Sequence, residues 1–185
     1  MPRTAAAAPK GDRTDLVEAL LAASRAMVAL AARSLADLDA EVTLPQFRAL
    51  VVLASRGPQR VVDISTELGV NPSTGTRMCD RLVRKKLIRR YRSNADRREV
   101  RLTLTAEGRR LVREVTDRRR VELVRLVDTM PERWHAPVTE ALRSFADAAG
   151  EVPENEWWLG WQSALDQESA SPAAVTVSTR STRAS

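Results

Sequence analysis

Along this chain apolar residues recur at helical spacing in several separate stretches and alternate with polar ones in another. Leu16, Leu20, Met27, Ala31 and Leu38 return every four or seven positions, so they share one face of a helix from about Thr14 to Leu38. Asp15 and Glu18 put negative charge in its first turn, where the helix dipole favours it. Thr43-Leu44-Pro45-Gln46 predicts the start of a second helix: the threonine hydroxyl and the glutamine side chain can cap each other's amides, and proline is tolerated in the first turn. Phe47, Leu50, Val51 and Ala54 form its buried face, and Gly57-Pro58 ends it. A short third helix follows from about Val62 to Leu68, with Val61, Ile64 and Leu68 facing inward.

Gly69-Val70-Asn71-Pro72 is the sharpest punctuation in the sequence. Glycine permits the left-handed conformation that closes a helix. Asparagine is a strong N-cap, and the fixed φ of proline suits the first helical position. The fourth helix runs to about Lys85 with Met78, Cys79 and Leu82 inward and Ser73, Thr74, Thr76, Arg77 and Arg81 outward. Helix, tight turn and helix make a helix-turn-helix. The period then changes. Leu87-Ile88 opens a short strand, Val100 to Leu104 alternates as a half-buried strand does, and the polar loop Ser93 to Arg98 joins them. Such a hairpin is a wing. Thr105 caps a long helix from about Ala106 to Thr129 carrying Leu111, Val115, Leu123, Leu126 and Val127. Pro131 breaks it, and a last helix spans about Glu132 to Ala149, with Val138, Leu142 and Phe145 expected to be buried.

Composition narrows the function. A length of 185 residues with 43% hydrophobic and 29% charged residues fits one soluble domain with extensions. Seven glycines and 4% aromatics argue against a barrel or sandwich. One cysteine and one histidine exclude a disulfide within the chain and a Cys/His metal cluster from one protomer. They also leave nucleophilic hydrolysis without an evident base, so neither an enzyme nor a cofactor nor a metal is expected. No apolar run approaches the roughly 18 residues of a membrane span. Met1 to Lys10 lacks the apolar stretch of a signal sequence, which predicts a cytoplasmic protein with a disordered leader over residues 1–13.

Charge changes the picture when it is located. The overall balance is +6, yet Pro72 to Arg101 holds eleven basic side chains against three acidic ones. That thirty-residue excess of eight is the footprint of a face that binds a polyanion, where a merely solvated helix would mix both signs.

The ordered motifs resemble those of the MarR family of bacterial transcription regulators. The resemblance rests on Thr43 and Gln46, on Leu68-Gly69-Val70 before Ser73-Thr74-Gly75-Thr76-Arg77, and on Asp80-Arg81-Leu82. It continues through Leu87-Ile88-Arg89-Arg90, Asp96-Arg97-Arg98 and Leu104-Thr105-Ala106-Glu107-Gly108. It implies a mainly α fold with a small β wing, a winged helix-turn-helix plus long dimerisation helices. The DNA-binding lobe would cover about 43–104 within a domain of 14–150, and the dimerisation helices 14–40 and 105–150. Residues 151–185 would form a Trp-containing, then Ser/Thr/Ala-rich, partly disordered tail.

The same resemblance implies a homodimer on a palindromic double-stranded operator, acting as a repressor relieved by a small aromatic effector whose site the sequence does not reveal. Ser73, Thr74, Thr76, Arg77 and Arg81 would meet the major groove, Arg77 as a guanine reader or as a phosphate contact. Arg90, with Arg81 and Arg84, suits phosphates; Arg97 and Arg98 suit a narrow minor groove; Asp96 orients a neighbouring arginine. Three departures stand out. Lys86 replaces the glycine that usually ends the recognition helix, at a cost of roughly 1 kcal/mol if left-handed, so a different ending is expected. Gly75 replaces a branched residue and is expected to loosen the reading end, and Ser65 replaces a usual alanine. Cys79 reads as a buried small hydrophobe, with an oxidant-sensing thiol as the alternative. His135 reads as a surface or helix-cap residue, and the Trp157-Trp158-Leu159-Gly160-Trp161 cluster as packing on the dimer helices. An architectural DNA-binding protein with little sequence preference is the competing function.

Overall fold

The structure is a computed structural model that describes residues 12–36, 41–92 and 99–158. Residues 1–11 of the expected leader, Leu38, the loop 93–98 and the tail beyond 158 lie outside the described residues, while Arg13, expected in the leader, opens the first helix. In chain order it contains α1 (Arg13–Ala36), α2 (Leu44–Arg56), α3 (Val61–Glu67), α4 (Pro72–Arg84), β1 (Ile88–Arg92), β2 (Val100–Leu104), α5 (Ala106–Val127) and α6 (His135–Ala148). Single 3-10 turns at Glu132–Trp134 and Glu154–Glu156 precede and follow α6. The fold is mainly α with a small wing, a winged helix-turn-helix with long helices attached.

The predicted caps form. Gln46 donates its amide to Thr43 Oγ1 at 3.4 Å, and Thr43 donates its amide to Gln46 Oε1 at 3.3 Å. Asn71 Oδ1 accepts the Thr74 amide at 2.8 Å, and Thr105 Oγ1 accepts that of Gly108 at 3.0 Å. Each cap satisfies an amide that the first helical turn leaves orphaned. Gly69, at φ +63°, closes α3.

The end of α4 departs from expectation. Lys86 itself adopts the left-handed conformation, φ +58°. Its amide bonds to Val83 O at 2.9 Å and that of Leu87 to Leu82 O at 3.1 Å, the pattern that usually recruits glycine. Leu87 and Leu82 are both buried in the core, and that burial with the two hydrogen bonds offsets the strain of a lysine there.

Helix α2 is the hub, packed against α1, α3, α4, α5 and β2. Leu50, Leu53, Ile64, Leu82, Leu102, Val112 and Val115 close the core around it. β1 and β2 pair antiparallel, with Ile88 opposite Leu104 and Arg92 opposite Val100. The loop before α3 adds a third edge, because Gln59 and Leu102 exchange backbone hydrogen bonds of 3.1 and 2.7 Å.

The long helices behave differently. On α1 only Leu30, Ser34 and Leu35 are buried, while Leu16 is 61% exposed. No residue of α6 is buried. Val138 is half-buried and Leu142 and Phe145 are exposed, contrary to the burial expected from their spacing. The pattern specifies an apolar face correctly, but periodicity cannot say whether the same chain covers it.

Candidate nucleic-acid interface

α4 meets the rest of the lobe through Gly75, Met78, Cys79 and Leu82, all buried. That inner anchorage leaves Ser73, Thr74, Thr76, Arg77 and Arg81 exposed together on one face. The expectation that Gly75 loosens the helix is replaced by a packing role. A Cβ at Gly75 would lie 1.9 Å from Ser65 Oγ and 3.0 Å from Ser65 Cβ, so two of the departures from the family pattern are in contact. Ser65 is itself fixed by donating to Val61 O at 2.8 Å. The missing side chain on α4 admits the extra hydroxyl on α3.

Within the exposed face the polar groups are already ordered. Ser73 donates its hydroxyl to Asn71 Oδ1 and Thr76 to Pro72 O, each at 2.8 Å, leaving lone pairs outward as acceptors. Arg77 folds along the helix, donating through Nε to Ser73 O at 3.3 Å. Among the described residues no carboxylate pairs with Arg77, Arg81 or Arg84. Arg90 differs: its Nη2 lies 2.5 Å from Asp80 Oδ1. It therefore ties β1 to α4 as well as presenting charge, a partnership the sequence reading missed because ten residues and a change of period separate the two. Arg97, Arg98 and Asp96 lie outside the described residues.

A second cluster steadies the wing from α3. Arg60 grips Asp63 with Nε and Nη2 at 2.9 and 2.7 Å and lies 3.6 Å from Glu99, which also pairs with Arg101 at 3.0 Å. The hydrogen bonds from Arg60 hold the Asp63 carboxyl below the usual aspartate range. Cys79 is fully buried, and burial pushes its thiol up to about 11. At neutral pH it stays protonated, whereas the thiolate is the form oxidants attack. His135 is half-buried at the start of α6, its Nε2 3.3 Å from Met130 O.

A separate cavity of about 620 Å³ lies between α2, α5 and the segment after α6. Phe47, Val51, Leu123, Val127 and Trp157 give it apolar walls. Arg119 lines it too, with Cζ 5.6 Å from the centre of the Phe47 ring. Its Nε is buried without a hydrogen-bond partner among the described residues, and burial lowers the pKa of the guanidinium. Trp157 packs against the core and donates Nε1–H to Val152 O at 2.9 Å. Trp158 covers Gly57 and donates its amide to Ser55 O at 3.0 Å. Trp158 thus docks on the lobe, where the expectation was the dimer helices, while Trp157 shares the cavity lining with residues of α5. The other end of the expected cluster, residues 159–161, lies outside the described residues.

A sequence profile of the MarR family matches residues 42–100, which run from before α2 through the wing. The repressor MdtR of Bacillus subtilis strain 168 is 33% identical over 108 residues, covering 58% of this chain and 70% of that protein.

The chain belongs to the MarR family.

Among solved structures, RV1404 of Mycobacterium tuberculosis is 43% identical with a TM-score of 0.71, covering 77% of this chain and 97% of that one. BpsR of Bordetella bronchiseptica, whose DNA binding is described as regulated by 6-hydroxynicotinic acid, is 25% identical. Its TM-score is 0.54, over 71% of this chain and 98% of that one. Three uncharacterized HTH-type transcriptional regulators of Bacillus subtilis strain 168 are matched over only 53 to 64% of their own lengths. No helix among the described residues is long and apolar enough to cross a membrane.

Proposed function

We propose that this MarR-family chain is a homodimeric regulator of transcription that binds a palindromic double-stranded DNA operator, and that a small effector relieves its repression. The observation that carries the DNA reading is the outer face of α4. Hydroxyls and arginines without a carboxylate partner among the described residues stand together there on a helix whose inner face is buried. The first turns of such a helix enter the major groove. Ser73, Thr74, Thr76 and Arg77 meet base edges, while Arg81, Arg84 and Arg90 meet phosphates. Arg97 and Arg98 serve the adjacent minor groove in this reading, and Asp96 orients a neighbouring arginine.

Apolar residues exposed on α1, α5 and α6 support a second copy as their cover: Leu16, Leu21, Met27, Leu126, Leu142 and Phe145. Two copies would place two recognition helices one DNA turn apart. The naming of MdtR as a repressor and the ligand control described for BpsR support repression and its relief. The cavity beside Phe47 offers the effector a place.

The test is competition binding at fixed salt. The DNA upstream of the protein's own gene is expected to be held by several orders of magnitude over random duplex. Equal affinity for both would overturn the regulator reading in favour of an architectural protein.

A further inference from the structure

The segment after α6 connects parts of the molecule that its sequence gives no hint of joining. Gly150 O accepts from Arg56 at 2.9 Å. Glu151 pairs with Arg48 of α2 through both carboxylate oxygens. Glu154 accepts from Arg120 of α5 at 3.0 and 3.1 Å, and Trp157 and Trp158 then seat on the core and on Gly57. Arg48 and Arg56 both also face Glu67 at the end of α3, at 3.9 and 2.9 Å. From there Ser65 touches Gly75 of α4. A continuous run of contacts therefore leads from the cavity wall to the recognition helix.

The charges around the cavity are placed unevenly. On the rim, Arg48 and Arg120 are each occupied by a glutamate of the segment. Inside, Arg119 has a ring face but no anion among the described residues. The carboxylate of Asp128, also on the lining, belongs to an exposed residue. The buried donor without a partner among the described residues thus belongs to a half-buried cation, while the anion is solvated, which favours an organic anion over an organic cation as the occupant.

We propose that residues 150–158 are a clamp holding α2 and α3 to α5, and that an organic anion seated against Arg119 loosens it by competing with Glu151 and Glu154 for Arg48 and Arg120. This rests on the ligand-regulated reading above and adds the element through which occupancy reaches α4. The magnitudes suit a switch. Both ion pairs are substantially exposed, and such pairs contribute about 0.2–1 kcal/mol each, within reach of a ligand present well above its Kd. The tryptophans keep the loosened segment near its seat.

The experiment is hydrogen exchange on the full chain, without DNA, followed at the Trp157 and Trp158 amides and in α3. The probes are 1-naphthoate, its neutral amide and 1-naphthylmethylammonium. Millimolar naphthoate is expected to speed exchange in 150–158 and in α3 by about fivefold or more, and the other two probes to leave it unchanged. Arg119→Gln is expected to abolish the naphthoate effect. Glu151→Gln with Glu154→Gln is expected to give fast exchange with no probe present. The proposal is overturned if naphthoate has no effect at millimolar concentration, if the ammonium probe acts instead, if Arg119→Gln responds like the parent, or if the double variant exchanges as slowly. Since exchange is read without DNA, loss of specific DNA binding in the competition assay would sink the regulator reading while leaving this result to stand or fall separately.

Discussion

The lobe from α2 to β2 and the long helices α1 and α6 all carry apolar residues at helical spacing, yet they end in opposite states. In the lobe the apolar stripe of every helix finds a partner a few dozen residues away, and Leu50, Ile64, Leu82 and Leu102 lose all contact with solvent. On α1 and α6 the apolar stripes remain open, with Leu16 at 61% and Phe145 at 52% exposure. Amphipathicity therefore specifies a face to be covered, and the topology decides whether one chain can cover it. The lobe is a finished core. The long helices keep their apolar faces open.

The largest effect expected from this contrast comes from within the lobe. Leu82→Ala removes a fully buried side chain of α4 and should cost about 2–5 kcal/mol, read by urea unfolding. A cost under 1 kcal/mol would mean the core is less complete than its burial implies. On the open side, Phe145→Glu should leave the far-UV helical signal intact. It should weaken self-association by roughly tenfold or more, read by sedimentation across micromolar concentrations. An unchanged mass distribution would break the comparison, because α6 would then be an ordinary solvated helix.

The contact between α3 and α4 gives a finer test. Gly75→Ala drives a methyl group into Ser65 Oγ and should cost about 1–3 kcal/mol by overpacking. Adding Ser65→Ala should recover part of that loss, a coupling that only touching residues show. The smallest effect belongs to Asp63. Its carboxyl titrates below its ordinary value of 3.8, so the stability it contributes is present above that value and lost as pH falls through the lower, folded one. Asp63→Asn should therefore lower the urea midpoint modestly at neutral pH, and the difference from the parent should vanish in strong acid. A difference that persists there would assign the effect to packing.

What the sequence made legible was local. The caps at Thr43, Asn71 and Thr105, the inward side of α4 and the wing strands all follow from spacings of a few residues, and all are present. The outward set Ser73, Thr74, Thr76, Arg77 and Arg81 was legible for the same reason. What stayed hidden depends on distance along the chain. The Gln59–Leu102 bridge, the pairing of Arg90 with Asp80 and the return of Glu151 and Trp158 onto α2 join segments that no periodicity relates. Lys86 shows a third kind of gap. Its left-handed backbone is bracketed by the hydrogen bonds of Lys86 to Val83 and of Leu87 to Leu82, and the propensity of lysine alone points the other way.

The interlock of Ser65 with Gly75 bears on how such proteins change their targets. A recognition helix carrying a larger residue at position 75 could not be transplanted here alone, since α3 would reject it. Nor could this helix be donated to a relative with alanine at position 65 without leaving a gap. If the proposed DNA reading holds, the portable cassette is residues 61–84 as a pair of helices, to be exchanged together.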